Sequence, residues 1–329
     1  MAPTVSIIMS NFNKERYLRR TIDSVVAQTY SDWEFIIYDD CSTDGSRAII
    51  DSYSDHRIKR IYMDTHEFMV YGFNYAITNS YGKYVAHIDS DDAWKPDFLR
   101  KQVEYLTSHP DCGGSFTLVN VVDENDKILS ETDTELVKWF NTDNRSQAEW
   151  LRQFFINGSC LCHSTAMVPR SVLDHVGLYD ITLRQIHDYE LWVRIARNYP
   201  LHVIQERLVD YRWMSDGSNS SAPDSRITRR SNFEFSQVLK HYFDEIPDDL
   251  FIEAFEQDFS KPGIYDPDCL QIERMLLLLK PVLCGEPGKI GGVEKFMDLL
   301  REKSTNQKMR DIYGIKQNDL YNITMTPML

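Results

Sequence analysis

The chain has 329 residues, 42% apolar and 26% charged, enough for a sizeable core in one large domain or two modest ones. That balance excludes a disordered, collagen-like or fibrous protein. Lys plus Arg is 36 against 50 Asp plus Glu, a formal charge of −14. A chain this acidic has no electrostatic grip on nucleic acid, which needs a basic patch. If it handles a phosphate-bearing ligand, a metal ion or backbone amides must offset the charge locally.

Short apolar runs alternate with helix-like stretches over the first hundred residues. Val5–Met9 reads as a strand, and Leu18, Ile22, Val25 and Val26 then recur at helical spacing. Trp33–Tyr38 is a second strand ending on Asp39 and Asp40, and residues 42–45 supply turn and cap residues for a helix to about Tyr53. Arg57–Tyr62 is a third strand, Tyr71–Ser80 a helix, Tyr84–Ile88 a fourth strand and Asp97–His109 a helix opened by Pro96. Gly113–Val122 reads as a strand feeding a hairpin, and residues 123–148 as a polar loop. A strand near His163–Val168, a helix from about Asp188 and a strand over Leu201–Val209 follow. Helical periodicity dominates after about residue 224, beyond a loop-like boundary near 215–225.

Strands apolar on both faces and alternating with helices predict a mostly parallel α/β sheet flanked by helices, with a helical C-terminal extension. Ligands in such sheets sit outside the carboxyl ends of the strands. Two strands end there on carboxylates, at Asp39-Asp40 and at Asp89-Ser90-Asp91-Asp92.

The first glycine is Gly45, so the first strand–helix turn is neither a dinucleotide loop nor a P-loop. Neither an H-E-x-x-H nor a G-x-S-x-G motif occurs. Of the six cysteines, Cys160 and Cys162 lie close together beside His163, but no second cluster completes a zinc site, and buried thiols are the expectation. The N-terminus has no signal-peptide pattern, and Met275–Leu279, the longest apolar run, is too short to span a bilayer. The chain therefore reads as cytoplasmic and reducing, with peripheral contact at the inner face of a membrane left open. The D-x-D of Asp89 and Asp91 lets two carboxylates face one site, where a hard divalent ion can share its coordination with a diphosphate. The plain alternative is a solvated acidic turn.

The context of that motif carries a resemblance. Thr4–Leu18 (TVSIIMSNFNKERYL), Ser24–Tyr30 (SVVAQTY), Glu34–Ser46 (EFIIYDDCSTDGS) and Gly82–Asp97 (GKYVAHIDSDDAWKPD), in that order, resemble the family-2 glycosyltransferases. The likeness is strong over about residues 4–110 and weaker over 150–215. It implies a GT-A fold, a nucleotide-sugar donor, a divalent cation (Mn2+ or Mg2+) and an inverting mechanism. On the matching positions, Ser10 and Phe12 would line the uracil and ribose pocket, with Asn13 and Glu15 nearby. Asp40 would accept the base imide N–H, Asp89 and Ser90 would face the ribose and diphosphate, and Asp91 would bind the metal. A core aromatic is the alternative for Phe12, and for Asp39 a turn or cap carboxylate is the preferred reading.

Gln185–Arg194 (QIHDYELWVR) resembles the family's acidic catalytic helix and puts Asp188 in the base position, with His187 where an acidic residue often stands. Helical spacing sets Asp188 on the face of Leu191, Trp192 and Ile195 and pairs Glu190 with Arg194 on the solvent side. An N-cap role is the alternative for Asp188. Asp210–Ser218 resembles the stretch that closes over the diphosphate, which makes Arg212 a candidate phosphate contact, against a surface ion pair; many relatives carry a histidine near Met214, and this chain does not.

The reading is thus an inverting, metal-dependent glycosyltransferase moving a sugar from a UDP-sugar to a glycan or lipid-linked acceptor in bacterial surface polysaccharide or glycan assembly. Its rivals are an inactive sugar-nucleotide or glycan-binding module and a nucleotidyltransferase making nucleotide sugars. Residues 1–220 form the expected catalytic domain, with nucleotide binding over about 1–110 and the acceptor side over about 111–220. Residues 221–329 form a helical region, through which a homodimer could assemble.

Overall fold

The structure, a computed structural model, describes residues 2–214, 219 and 225–325, with only the backbone at 281–284. The expected boundary at 215–225, and the end of the Asp210–Ser218 stretch, fall largely outside the described residues. The chain forms two compact units, residues 1–146 with 160–220 and residues 147–159 with 221–329. Residues 147–159, read from sequence as part of the acceptor side, are grouped with the later helices.

The first unit opens with β1 (Val5–Asn11), α1 (Glu15–Val26), β2 (Trp33–Asp39), α2 (Ser46–Asp51), β3 (Ile58–Tyr62) and α3 (Met69–Thr78). It continues through β4 (Tyr84–His87), β5 (Ala93–Trp94), α4 (Phe98–Ser108), β6 (Gly114–Val122) and α5 (Leu136–Phe140). After α6 (Gln147–Asn157), which belongs to the second unit, come β7 (Met167–Pro169), α7 (Arg170–Val176), α8 (His187–Asn198) and β8 (Leu201–Arg212).

The eight strands form one sheet in the order β3-β2-β1-β4-β7-β6-β8-β5. Pairings among β3, β2, β1 and β4, and between β6 and β8, are parallel, whereas β7 runs antiparallel to both neighbours and β5 antiparallel to β8. The architecture is the α/β class that the sequence predicted, one sheet flanked by helices. Every residue of β2 is buried and all but one of β1, as expected where helices cover both faces. Val5, Ile7 and Met9 alternate onto the face covered by Leu18, Ile22 and Val25 of α1, all fully buried. Each such side chain contributes about 1.5–3 kcal/mol. On the opposite face α3 comes so close that a Cβ on Gly72 would lie 2.5 Å from the Tyr38 ring and 2.9 Å from Ser10 Oγ.

Two expectations are corrected here. The run expected as a strand from His163 starts as a 3-10 turn, His163–Thr165, in which Thr165 N donates to the Cys162 carbonyl, and only Met167–Pro169 pair in the sheet. The stretch 123–148 is not all loop, since α5 places Val137, Leu136 and Phe140 against the core. Cys160 and Cys162 are buried free thiols.

The second unit joins α6 to α9 (Ser225–Lys240), α10 (Asp248–Phe255), α11 (Pro267–Leu278), α12 (Pro281–Arg301), α13 (Lys303–Asp311) and α14 (Gln317–Thr324). Two apolar centres hold it. Phe155, Tyr242, Phe243, Phe251 and Phe255 pack ring to ring, and Tyr242 Oη donates to the Leu151 carbonyl at 2.6 Å. Ile272, Met275, Val293, Phe296, Leu299, Met309 and Leu320 form the other centre. The apolar stripe from Cys269 to Leu278 is therefore core. Asp266 caps α11 by accepting from Cys269 N, and Gly285, at φ 65°, interrupts α12 with a conformation that glycine adopts without strain. Among the described residues no helix is long and apolar enough to cross a membrane.

In the first unit, Asp210 ties β8 to its surroundings: Lys95 Nζ lies 2.8 Å from one oxygen, Asn120 Nδ2 donates to it at 2.9 Å, and Arg20 Nη2 lies 2.6 Å from the other. Burial pushes this carboxyl up, but Lys95, Asn120 and Arg20 hold it below the usual carboxylate range. A depressed folded value adds stability above the unfolded value, about pH 4, which is lost as pH falls through the folded one. Asp210→Asn should therefore be less stable than wild type at pH 7 by about 1–3 kcal/mol. The gap should close below about pH 4, as measured by urea denaturation across pH.

Candidate active site

Strand order reverses beside β1, which has β2 on one side and β4 on the other. In sheets of this kind a ligand crevice lies at such a switch point, outside the carboxyl ends of the strands. The turns after β1, β2 and β4 carry Asn11–Asn13, Asp39–Cys41 and Asp89–Asp92.

At the first two turns the residues divide into braces and open groups. Asp39 is fully buried and accepts from Asn11 Nδ2 at 2.9 Å, Ser42 N at 3.1 Å and Arg47 Nε at 2.8 Å, so it is the turn carboxylate the sequence suggested. Asn13, at φ 52°, accepts from Thr43 N at 2.8 Å, and Glu15 Oε2 accepts from Gly45 N at 2.5 Å. Both are engaged in holding the loop. Phe12 is 41% exposed, which excludes the core-aromatic reading. Asp40 is 1% exposed; its Oδ1 accepts from Glu67 N at 2.7 Å, while Oδ2 has no aligned hydrogen-bond donor. His66 Nδ1 does lie 2.8 Å from that oxygen, a close contact away from the hydrogen-bonding direction.

The turn after β4 is held from three sides. Thr21 Oγ1 donates to the Ser90 carbonyl at 3.1 Å and to that of Asp92 at 2.6 Å. Ser164 Oγ donates to Asp92 Oδ2 at 2.5 Å and receives Asp89 N at 2.9 Å. Arg212 N donates to Asp92 Oδ1 at 2.8 Å. Burial, with the charges of Asp91 and Asp89, pushes the Asp92 carboxyl well above the usual range. Asp92 is thus an internal anchor, which leaves Asp89 and Asp91 with side chains 36% and 13% exposed. Lys14 Nζ lies 2.6 Å from Asp91 Oδ2. Burial lowers the Lys14 ammonium, but the charges of Asp91, Asp89 and Asp92 and its bond to Asp91 hold it above its usual range.

Arg212 sits otherwise than either sequence reading of it. It is 1% exposed, its Nε donates to the Asp91 carbonyl at 3.0 Å and Nη1 to that of Asp123 at 2.6 Å, and it pairs with Asp126. Its guanidinium stacks 4.3 Å from the Tyr17 ring centroid. A group so enclosed is a brace beneath the turn, neither a surface ion pair nor an open phosphate contact.

Helix α8 brings its first turn to the same place. Ile186 is the N-cap, so Asp188 lies inside the helix, accepting from Tyr189 N at 2.8 Å, with Leu191, Trp192 and Ile195 fully buried along its face. The expected Glu190–Arg194 pair forms at 2.5 Å, but both side chains are at most 20% exposed. Arg194 also donates to the carbonyls of Val176, Gly177 and Leu178, so the pair stitches a loop to the helix and does not face solvent.

Between this helix and the β4 turn lies a cluster that sequence reasoning did not assemble. His163 Nδ1 is 3.4 Å from Asp89 Oδ1, His163 Nε2 is 2.9 Å from Tyr179 Oη, and Tyr179 Oη is 3.1 Å from His87 Nε2. His187 and Phe73 pack against these rings. Burial pushes His87 well below the usual histidine range and His187 below it. Burial also lowers His163, but its bond to Asp89 and the charges of Asp89 and Asp188 bring it above that range. Both carboxylates therefore bear on one imidazole. The only sequence signals were His163 beside the cysteines and His187 beside Asp188.

Tyr179→Phe deletes the one hydroxyl that satisfies two buried imidazole nitrogens. It should cost about 1–3 kcal/mol in urea denaturation at pH 7.

The chain matches the family model described as "Glycosyl transferase family 2" over residues 6–177. A glycosyltransferase of Bacillus subtilis assigned to teichuronic acid biosynthesis, TuaG, is 31% identical over 245 residues, covering 73% of this chain and 90% of that one. An uncharacterized glycosyltransferase of Methanocaldococcus jannaschii is also 31% identical, covering 73% of this chain and 80% of that one. Among solved structures, S. aureus TarS residues 1–349 in complex with UDP-GlcNAc superposes with a TM-score of 0.59 at 17% identity, covering 92% of this chain and 86% of that one. That likeness is one of fold. With the family motif order, the switch-point crevice and these matches together, the chain belongs to glycosyl transferase family 2 and is a glycosyltransferase.

Proposed function

We propose that the protein transfers a sugar, with inversion, from a UDP-sugar to a hydroxyl of a glycan or lipid-linked acceptor in surface polysaccharide or glycan assembly. The observation that carries the donor reading is the buried Asp40 Oδ2 without an aligned donor, beside the exposed ring of Phe12. A uracil offers both complements, an imide N–H for the oxygen and a flat face for the ring. Ser10 lies on the α3 side of the same strand end, and Ser90, Asp89 and Asp91, in the turn after β4, would face the ribose and diphosphate. The name of the B. subtilis relative and the UDP-GlcNAc complex of the fold neighbour support this class of reaction.

A divalent ion suits the carboxylates in one specific way. Among the described residues no three His, Cys, Asp or Glu side chains are placed to hold an ion by themselves. Mg2+ and ions like it are commonly held by one or two carboxylates with substrate phosphates and water completing the shell, and Asp91, with Asp89 beside it, offers that much. When bound, such an ion supplies Lewis-acid stabilisation of the departing diphosphate.

Asp188 is the proposed base. It takes the proton of the acceptor hydroxyl as that oxygen attacks the anomeric carbon, and the bond to the UDP oxygen breaks on the opposite face with its electron pair leaving on UDP. Lys14 holds Asp91 in place, and Arg212 holds the carbonyl of the same residue, so the turn enters the reaction already oriented.

Two measurements test this. Calorimetry with UDP should show binding strengthened by manganese and weakened by excess chelator, and equal affinity in both conditions would remove the ion from the mechanism. Asp188→Asn should keep UDP affinity and melting temperature while losing at least about 100-fold in UDP release from UDP-sugar with acceptor. Normal turnover in that variant would mean that another group is the base.

A further inference from the structure

The loop between β3 and α3 carries a ring that already stands against both groups that the nucleoside reading assigns to a base. His66 stacks on Phe12 with ring centroids 4.2 Å apart and planes inclined by 32°. Its Nδ1 lies 2.8 Å from Asp40 Oδ2 and 3.3 Å from the Asp40 carbonyl. Facing two acceptors, Nδ1 is the protonated nitrogen of the ring. An aromatic N–H against Asp40 and a π-face against Phe12 are what uracil would supply.

We infer that His66 is an internal stand-in for the base, which it excludes from the pocket until it swings aside, and that it thereby sets the affinity and selectivity of the nucleoside site. The inference rests on the reading of Phe12 and Asp40 as the base pocket. Only one Asp40 oxygen is available, because Oδ1 is taken by Glu67 N at 2.7 Å. With the imidazole seated on the Phe12 ring and 2.8 Å from Oδ2, a uracil making those two contacts has to take its place. The imidazole meets that oxygen off its hydrogen-bonding direction, so a ring with a well-directed N–H competes on favourable terms.

The loop is also built to let His66 leave. Its side chain is 36% exposed, so one edge of the ring faces solvent. Phe68, two residues on, has φ 67° and ψ 156°, a left-handed backbone that a bulky residue adopts only under strain. What holds it is a run of ring contacts: Phe68 also packs on His66, with centroids 4.5 Å apart, and the Arg184 guanidinium lies 4.6 Å from the Phe68 centroid. Outward movement of residues 66–68 would break the stack on Phe12 and relax the backbone at Phe68 together. A ligand whose site is occupied most of the time by an internal group binds more weakly by the fraction of time the site is free.

The test is calorimetry of UDP with manganese on wild type, His66→Ala, His66→Asn, Phe12→Ala and Asp40→Asn, with melting temperatures to show that each variant is folded. Removal of the stand-in should tighten UDP binding in His66→Ala by about threefold to tenfold. His66→Asn, too small to stack on Phe12, should move the same way and replaces the alanine variant if that one does not fold. Equal or weaker UDP binding without the imidazole, while Phe12→Ala and Asp40→Asn are defective, overturns the stand-in and leaves the base pocket standing. If Phe12→Ala and Asp40→Asn bind UDP like wild type, the base-pocket reading itself fails and the inference with it.

Discussion

The arrangement of the site depends on the burial of Asp92. Its two carboxylate oxygens and its carbonyl collect donors from the 3-10 turn, from β8 and from α1, at 2.5, 2.8 and 2.6 Å. Three segments distant in sequence thereby converge on one turn of four residues. A carboxyl this enclosed, next to Asp89 and Asp91, is held toward its neutral form by burial and repulsion. The negative charge of the turn is then concentrated on Asp89 and Asp91, which retain access to solvent. A buried, fully bonded anchor and two partly exposed carboxylates one and three positions away, one paired with Lys14 and the other beside His163, are the structural meaning of D-x-D-D here.

An acidic protein must place its cations with care if it is to meet a diphosphate. Here the basic side chains around the crevice are committed to protein acceptors: Arg212 to the turn and to Asp123, Arg20 and Lys95 to Asp210, and Lys14 to Asp91. These bonds rigidify the strand ends and neutralise charge locally. They also explain why the net charge of −14 need not repel a nucleotide from the site, since the acidic residues nearest to it are already paired or anchored. Arg212 in particular contributes through the backbone of Asp91, and its own head group is out of reach of solvent.

The histidine cluster gives the floor of the crevice a different character. His87 and His187 are driven toward neutrality by burial, whereas His163 is pulled the other way by Asp89 and Asp188. The phenol of Tyr179 links His163 to His87, so the orientation of the ring beneath Asp89 is fixed from below. This is a polar network inside an aromatic setting, with Phe73 against His87, His163, His187 and Tyr179.

Uniformly apolar runs such as Val5–Met9 and Trp33–Tyr38, and the helical spacing of Leu18, Ile22 and Val25, determined the parallel half of the sheet and its first helix without any structure. Those patterns are local, because a strand buried on both faces must be apolar throughout and a helix packed on it must be apolar along one stripe. The placement of Asp39-Asp40 and Asp89-Asp91 at strand ends was legible for the same reason. Two-residue β5 was not, and of the run read as a strand over His163–Val168 only the end lies in β7, since elements that short have no periodicity and exist only through their partners. Nor could sequence show that Arg212 is buried, that Lys14 faces Asp91, that His66 lies over Phe12, or that His87, His163 and His187 meet. Each of those facts depends on contacts between segments far apart in the chain, and only the assembled sheet, with its helices packed on both faces, brings such segments within reach of one another.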